Sequence, residues 1–332
     1  MKRLLITGAS SGIGLEAARL LAGDGHQLTL VCRSEERCEQ TRQQLLSAAV
    51  DASQIGCIAM DLADLASVEQ GCQQLLVQGQ PFDALVLNAG HQRAGAAEPV
   101  FSPQGIEITF AVNQLAHQLI ATRLLPLLQA GEQPRLVITA SDVHDPATGG
   151  GRVGQPAHLG DLAGLRSGAG FVMLDGSARF DGDKAYKDSK LCNVLLGRAL
   201  ARQLEGAMPV IAWSPGLVIP RCREGFFRYS RQSNPVGMAL FAAVARDLLR
   251  VTESVQTAGR LLAEVAVEAA FASPGFTYFS NRLVRPGVHR FEERATSPDG
   301  ADVDQAAALW RLSETLIDRC SGPVSPRGRK ET

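Results

Sequence analysis

"TGASSGIG" (residues 7–14) lies between an apolar run and an amphipathic pattern, and this position decides the fold. RLLIT (3–7) is typical of a buried strand, and IGLEAARLLAG (13–23) carries apolar residues at helical spacing. Glycine permits the tight turn and lets backbone N–H groups approach a phosphate at the start of the helix. In this strand–turn–helix context the stretch predicts a pyrophosphate site. We expect the site to be formed by Gly8, Ser10, Ser11, Gly12, Ile13 and Gly14.

Short apolar runs alternate with helical patterns along most of the chain. Strands that alternate with helices pair in parallel through right-handed crossovers, and uniformly apolar strands are covered on both faces. The sequence therefore predicts an α/β fold with a doubly wound, mostly parallel sheet of the Rossmann type. The predicted strands are 3–7, 28–32, 55–60, 84–88, 135–140 and 209–214, and the predicted helices are 13–23, about 34–48, about 64–78, about 104–128 and 185–205.

Two stretches interrupt this alternation, residues 142–184 and residues 217–251. The first is rich in glycine, and both follow strands at the edge where open α/β sheets bind ligands. We expect a single catalytic domain over residues 1–320 in which these insertions form a lid over the substrate. Residues 321–332 are expected to form a flexible tail.

The composition limits the class of protein and its partners. The 332 residues are 45% hydrophobic and 20% charged with a net charge of -1, which is typical of a globular protein and does not indicate a nucleic-acid partner. Seven cysteines without a C-x-x-C pair predict a reducing compartment without a disulfide framework. The six histidines lack metal-ligand spacing, so we expect no metal.

The sequence predicts a cytoplasmic protein. The most apolar later stretch, 236–251, is too short and too charged to cross a bilayer. An amphipathic surface helix in this stretch, with peripheral contact to an internal membrane, stays open. The sequence does not specify an oligomeric state.

Arg33 follows the second predicted strand, 19 residues after Gly14. NAD-binding proteins usually place an acidic residue here to hold the ribose hydroxyls, whereas a guanidinium suits a 2′-phosphate. The sequence therefore predicts NADP(H), held by Arg33 with help from Arg37 one turn further on; a solvated arginine at a helix start is the alternative. Further coenzyme contacts are expected from Asp61, Leu62, Asn88, Ala89, Gly90, Pro215, Gly216 and Val218.

AYKDSKLCN (185–193) places Tyr186 and Lys190 four residues apart, on one face of a helix. An ammonium close to a phenol favours the phenolate, so we expect the pKa of Tyr186 to fall from its usual value of about 10. Tyr186 would then be a general acid, and Lys190 would also hold the nicotinamide ribose. Ser141 is expected to polarise the substrate, and Asn113 to orient Lys190 through water. A polar turn of a surface helix is the alternative.

These motifs, in this order, resemble the short-chain dehydrogenase/reductase family over about residues 1–216. The matching elements are TGxxxGxG, the NAG of residues 88–90, Asn113, Ser141 and the YxxxK pair. The resemblance implies an NADP(H)-dependent oxidoreductase acting on a small molecule. It also implies a catalytic tetrad of Asn113, Ser141, Tyr186 and Lys190.

A narrower resemblance is to the light-dependent protochlorophyllide reductases. It rests on the gap of 45 residues between Ser141 and Tyr186 and on HLGDLAGL (158–165), DKAYKDSKLCN (183–193), SPGFTYFSN (273–281) and AAALWRLSETLID (306–318). It implies hydride transfer to a double bond of a large apolar substrate, a tetrapyrrole pigment, in chlorophyll biosynthesis for photosynthesis. The chain departs from the family at Leu217, where the reductases have a cysteine, and leucine cannot donate a proton.

Two alternatives to a pigment reductase remain at the level of sequence. One is a carbonyl reductase or alcohol dehydrogenase of the retinol-dehydrogenase type, which shares the Ser-Lys-Leu-x-Asn-Val run of residues 189–194 but lacks the long insertion. The other is a non-enzymatic NADP(H)-binding regulator. The complete tetrad argues against a regulator, since a sensor does not need a general acid.

Overall fold

A sheet of eight strands runs through the centre of the molecule, in a computed structural model that describes residues 1–46, 51–219, 227–233 and 235–321. The strands are β1 (Arg3–Thr7), β2 (Gln27–Cys32), β3 (Ile55–Ala59), β4 (Ala84–Leu87), β5 (Arg135–Thr139), β6 (Pro209–Ser214), β7 (Gly275–Arg285) and β8 (Val288–Glu293). Their spatial order is β3-β2-β1-β4-β5-β6-β7-β8, with β1 to β7 parallel and β8 antiparallel to β7. The predicted doubly wound, mostly parallel sheet is confirmed.

Helices cover both faces of the sheet. They are α1 (Gly12–Gly23), α2 (Glu35–Leu46), α3 (Leu65–Gln78), α4 (108–123), α5 (Leu125–Gln129), α6 (Gly182–Gln203), α7 (Arg228–Ser233), α8 (Pro235–Ala242), α9 (Val255–Val267) and α10 (Val303–Ser321). Helix α4 includes a π-helical turn at Ala111–Leu115, and another π-helical turn, Ala243–Leu248, follows α8. Shorter helical turns include Gly149–Arg152, Ala163–Arg166 and Pro298–Ala301.

The strands carry almost only apolar residues because two cores enclose the sheet. Helices α3, α4, α6 and α10 pack on one face, and α1, α2 and α9 pack on the other. All four residues of β4 and all six of β6 are buried. Each fully buried aliphatic side chain stabilises the fold by about 1.5–3 kcal/mol, so the apolar strand pattern commits the chain to a covered sheet.

The predicted helix 104–128 begins later and is interrupted. Phe101 and Glu107 form an isolated bridge, and the Glu107 carboxylate accepts the Thr109 and Phe110 N–H groups at 3.0 and 2.9 Å, which starts α4 at Ile108. Pro126 lies in the first turn of α5 and separates it from α4. The prediction was wrong at both places because helical spacing does not reveal a capping carboxylate or a break before proline.

Helix α9 and strand β8 are among the elements that were not predicted. Helix α9 packs on α1 so closely that a Cβ on Gly259 would lie 2.6 Å from the Glu16 Cβ. Strand β8 is an edge strand after a turn at Gly287, whose φ of +74° favours glycine. Its sequence, VHRFEE, is polar because one side of an edge strand meets solvent, so it lacks the apolar run that identified the inner strands.

The cysteines depart from expectation at one pair. Cys38 in α2 and Cys57 in β3 form a disulfide with their Cα atoms 5.8 Å apart, and the Cys32 Sγ lies 3.7 Å from the Cys57 Sγ. The sequence predicted no disulfide framework, and it gave no signal for this single bond, because the packing of α2 on β3 joins residues whose spacing carries no pattern. The sequence predicted no metal. The sulfur atoms of Cys32, Cys38 and Cys57 lie within 4.8 Å of one another, and two of them form the disulfide.

The two predicted insertions both contain helical turns. Residues 142–184 include Gly149–Arg152 and Ala163–Arg166, and the described part of 217–251 includes α7 and α8. Residues 220–226, residue 234 and the tail beyond residue 321 lie outside the described residues. Within the described ranges, no helix combines the length and the apolar character that crossing a membrane requires. The cytoplasmic location stays a prediction.

Candidate active site

A cleft of about 1770 Å³ opens above the carboxyl ends of the central strands. The cleft is lined by the residues that directly follow β1, β4, β5 and β6, namely Gly8, Asn88, Ala140 and Pro215. The strand order reverses between β1 and β4, and ligands of doubly wound sheets bind at such a reversal. The cleft therefore lies where the fold predicts a nucleotide.

The loop between β1 and α1 lies in this cleft and requires its glycines. Gly8 has a φ of +68°, and a Cβ there would lie 2.7 Å from the Ala89 Cα. Ser11 makes no side-chain cap to α1, so the first N–H groups of the helix are left for a ligand. All six residues predicted for the pyrophosphate line the cleft.

Thr7 ties this loop to the segment after β4. Its Oγ1 accepts the backbone N–H groups of Asn88 and Ala89, both at 2.9 Å. The Asn88 Nδ2 donates to the Thr7 carbonyl at 3.1 Å. These bonds hold Asn88, Ala89 and Gly90 in the cleft wall, as the NAG motif predicts.

Arg33 lines the cleft at the end of β2, and its side chain is 59% exposed. Its Nε lies 3.9 Å from the Asp61 Oδ1, a long contact between exposed groups that leaves the guanidinium able to turn to an anion. Asp61 and Leu62 also line the cleft. Arg37, on α2, does not line the cleft. The structure thus brings Arg33, but not Arg37, to the predicted coenzyme site.

Lys190 is buried beneath the cleft, without a carboxylate partner among the described residues. Its Nζ donates to the Thr139 carbonyl at 2.8 Å and to the Asn193 Oδ1 at 3.1 Å. Burial lowers the pKa of Lys190 to about 7, since removal from water disfavours the charged form. An ammonium has three donors, so one remains beyond these two bonds.

Tyr186 lies one turn before Lys190 on α6, with its ring centre 5.7 Å from the lysine Nζ. Its phenol is hydrogen-bonded to Ser141, which lowers its pKa, but burial raises the pKa by more. The expected fall in the pKa of Tyr186 is therefore not found. The reason is that Lys190 turns its ammonium to Thr139 and Asn193 instead of to the phenol.

Asn113 reaches Lys190 through Asn193. The Asn113 carbonyl accepts the Asn193 Nδ2 at 2.6 Å, and the Asn193 Oδ1 accepts from Lys190. Its own side chain accepts the His91 N–H at 2.7 Å and donates to the His91 carbonyl and to the Ser189 Oγ, both at 2.9 Å. The π-helical turn at Ala111–Leu115 places this residue where α4 faces α6.

The segment after β6 forms another wall of the cleft. Gly216 has a φ of +78°, and a Cβ there would lie 2.7 Å from the Asn281 carbonyl oxygen. Pro215, Gly216, Leu217 and Val218 all line the cleft, and Leu217 is 37% exposed. The position that holds a cysteine in the resembling reductases is therefore apolar here and faces the cleft.

Two further lysines of α6 hold the glycine-rich insertion. Lys187 donates to the carbonyls of Gly151, Val153 and Gln155. Lys184 pairs with Asp188 at 2.6 Å and Asp175 at 3.1 Å. The insertion is thus fastened to the helix that carries Tyr186.

Several residues of the cleft were missed at the level of sequence. The Asn193 Oδ1 and the Thr139 backbone carbonyl accept from the Lys190 ammonium. Their signals in the sequence were the i,i+3 spacing from Lys190 and the position two before Ser141. Tyr278 and Ser280 donate to the two Asp142 carboxylate oxygens at 2.7 and 2.8 Å. No local pattern pairs β7 with the residue after Ser141. His91, Gln92, Arg93, Arg228 and Tyr229 were also missed.

Comparisons with known proteins agree with this geometry. A family model described as short chain dehydrogenase matches residues 2–150. Protochlorophyllide reductase A of Oryza sativa subsp. japonica is 34% identical over 323 residues, which cover 95% of this chain and 80% of the rice protein. Protochlorophyllide reductase of Avena sativa is 33% identical over 323 residues, which cover 95% of this chain and 99% of the oat protein.

Solved structures share the fold. An uncharacterised protein of Mycobacterium paratuberculosis has a TM-score of 0.66 and 24% identity, over 96% of this chain and 93% of that one. The RhlG/NADP active-site complex of Pseudomonas aeruginosa has a TM-score of 0.61 and 21% identity, over 85% of this chain and 94% of that one. Likeness at these identities concerns the fold alone.

Proposed function

This chain belongs to the short-chain dehydrogenase/reductase family and is related to the protochlorophyllide reductases, and on that premise we propose that it uses NADPH to reduce a double bond of a large apolar substrate. As a member of this family the protein is an oxidoreductase. One observation carries the proposal: Tyr186, Ser141 and Lys190 meet in the same cleft as the glycine loop and Arg33.

The residues present fit a dinucleotide phosphate. The uncapped N-terminus of α1 leaves N–H donors beside a loop where Gly8 has no room for a side chain. Arg33 offers a guanidinium with only a 3.9 Å contact to Asp61, which suits a 2′-phosphate. NADPH, when bound, supplies a hydride.

Tyr186 is the proposed proton donor, and its raised pKa keeps the phenol protonated until it transfers the proton. The phenolate left behind is stabilised by the Ser141 hydroxyl, and the charge of the Lys190 ammonium, whose Nζ lies 5.7 Å from the ring centre, adds to this. Asn193 and Asn113 hold Lys190 in place beneath the phenol. Ser141 in turn orients the reacting end of the substrate.

A large apolar substrate is supported by the size and the walls of the cleft. Its volume of about 1770 Å³ has to hold both the coenzyme and the substrate, and it exceeds the roughly 300–1,000 Å³ of a pocket for one ligand. The walls include Val143, Val153, Leu217, Met238 and Phe241. A tetrapyrrole pigment, the substrate named for the rice and oat relatives, is the proposed substrate class.

The test is illumination of the purified protein with NADPH and protochlorophyllide. We expect the chlorophyllide absorption band to appear, and Tyr186→Phe to remove turnover while changing the Kd for NADPH less than threefold. Ser141→Ala should also lower turnover. The matched control is Ser177→Ala, because Ser177 is an exposed serine in the insertion of residues 142–184. Full turnover by Tyr186→Phe would remove the tyrosine from the mechanism.

Leu217 favours a second candidate function, a carbonyl reductase or alcohol dehydrogenase for apolar substrates. Its side chain cannot donate a proton where the pigment reductases have a cysteine. NADPH oxidation with an apolar aldehyde in the dark, and no pigment band in light, would favour this candidate. If the pigment reaction exists but is slow, Leu217→Cys should raise its rate, with the aldehyde rate as the control.

A further inference from the structure

Three consecutive side chains after β4 each bury a nitrogen atom that has no hydrogen-bond partner in the part of the chain that the structure describes. They are the His91 Nε2, the Gln92 Nε2 and the Arg93 Nε, and all three residues line the cleft. Gln92 is 5% exposed. Buried donors in folded proteins almost always have partners, so three in a row point to a ligand that supplies acceptors.

The second insertion brings another guanidinium to the same wall. The Arg228 Cζ lies 4.5 Å from the centre of the Tyr229 ring, and the Arg93 Cζ lies 5.7 Å from it. The His91 ring centre lies 5.0 Å from the same ring. Arg228 also donates to the Tyr229 Oη at 2.7 Å. Tyr229 therefore lies between two cations and an imidazole.

No carboxylate oxygen of the described residues lies within the 4.0 Å of a salt bridge from either guanidinium, although the charge of Arg93 acts on Glu107 over a longer distance. The nearby Glu107 is occupied by the Thr109 and Phe110 N–H groups. Burial and the charges of Arg228, Arg93 and Arg33 lower the pKa of His91 to about 4, so its imidazole is neutral and can donate one hydrogen bond.

We propose that Arg93 and Arg228 bind an anionic oxygen group of a ligand in the cleft, with His91 and Gln92 as neutral donors. A guanidinium matches a carboxylate or a phosphate through two parallel hydrogen bonds. The shared chemistry has two sources, a carboxylate on the substrate or a phosphate of the coenzyme. A carboxylate on the substrate would mean that the large substrate is an acid. This version of the proposal rests on the proposed function and adds to it.

The anion site is joined to the catalytic residues. Asn113 holds both the N–H and the carbonyl of His91, at 2.7 and 2.9 Å, and is linked through Asn193 to Lys190. This chain of hydrogen bonds connects His91, in the anion site, to Lys190, which lies one helical turn after Tyr186. An anionic group bound here would set which end of the ligand faces Tyr186.

The experiment measures two affinities in the full chain and in the variants Arg93→Leu and Arg228→Leu. One probe is NADPH, followed by its fluorescence, and the other is protoporphyrin IX, compared with its dimethyl ester. Arg260→Leu is the matched control, because Arg260 lies on α9 outside the cleft and is 63% exposed. If a leucine variant does not fold, Arg93→Lys and Arg228→Lys replace it, since they keep the charge but lose the planar pair of donors.

A substrate carboxylate predicts that both variants bind the free acid roughly ten- to hundredfold more weakly. Binding of the ester and of NADPH would then stay within twofold. Weaker NADPH binding alone assigns the site to a coenzyme phosphate. Unchanged affinity for both NADPH and the free acid overturns the proposal. If the wild-type protein binds neither porphyrin, the tetrapyrrole in the proposed function fails, and the NADPH measurement alone decides the anion site.

Discussion

Replacing Lys190 by methionine should stabilise the coenzyme-free protein near pH 7 while removing its activity. Lys190 is buried and has no counter-charge among the described residues, and burial lowers its pKa from the usual 10.5 to about 7. Between these two values the unfolded chain holds a proton that the folded protein does not. The free energy of unfolding therefore rises with pH from about 7 to 10.5. Below pH 7 the full cost of burying the charged lysine is present, and above 10.5 it is absent.

The magnitude follows from the size of the pKa shift. Each unit corresponds to about 1.4 kcal/mol, so the lysine costs the folded state roughly 4–5 kcal/mol at pH 7 and below. Methionine removes this cost but leaves the Thr139 carbonyl and the Asn193 Oδ1 without their donor, at about 1–3 kcal/mol. The difference between these two ranges predicts that Lys190→Met is more stable than wild type by about 1–4 kcal/mol at pH 6–7.

Urea unfolding of both proteins at pH 6, 7, 8 and 9, without coenzyme, measures this effect. Other titrating groups are common to both proteins and cancel in the difference. The advantage of Lys190→Met should shrink by about 1.4 kcal/mol for each pH unit above 7. A difference that stays constant from pH 7 to 9 would refute a depressed lysine pKa and the account of burial on which it depends.

Three other perturbations test the coenzyme site and its surroundings. Arg33→Leu should weaken NADPH binding about tenfold or more and leave NADH binding within twofold, which fluorescence titration of both coenzymes measures; equal weakening of both would contradict a 2′-phosphate contact. Gly8→Ala should abolish NADPH binding or lower the melting temperature, because its Cβ would lie 2.7 Å from the Ala89 Cα; a fully binding, fully stable variant would contradict the loop geometry. Cys38→Ser should lower the free energy of unfolding by about 2–3 kcal/mol in oxidising buffer, since the bond to Cys57 closes a loop of 19 residues, and the two proteins should agree after reduction; a gap that persists under reductant would assign the loss to packing.

The sequence was most informative where local spacing and chemistry coincide. The loop TGASSGIG follows β1 and opens α1 as predicted, because glycine is needed wherever φ is positive and backbone approaches backbone. Tyr186 and Lys190 share a face of α6 because their spacing is that of one helical turn. The alternation of apolar strands and helices predicted a parallel sheet, which β1 to β7 form.

Local patterns were least informative about electrostatic environment. The pKa of Tyr186 was expected to fall, yet it rises, because burial depends on everything packed around the phenol and not on its neighbours along α6. Arg37 was placed beside the coenzyme by proximity in sequence, but the direction of its side chain depends on how α2 lies on the sheet.

The amino-acid sequence by itself determined the strands β1 to β6, the alternation of helices between them and the position of the phosphate loop, since each depends on local interactions along the chain. Tertiary structure alone decided which distant residues meet: Cys38 with Cys57, Asn193 with Asn113, and Arg228 and Tyr229 with His91 and Arg93. Such pairs leave no periodic trace, because they form only when separate elements pack together. For that reason the proposed proton donor could be named from its motif, whereas the proposed anion site became visible only in the folded cleft.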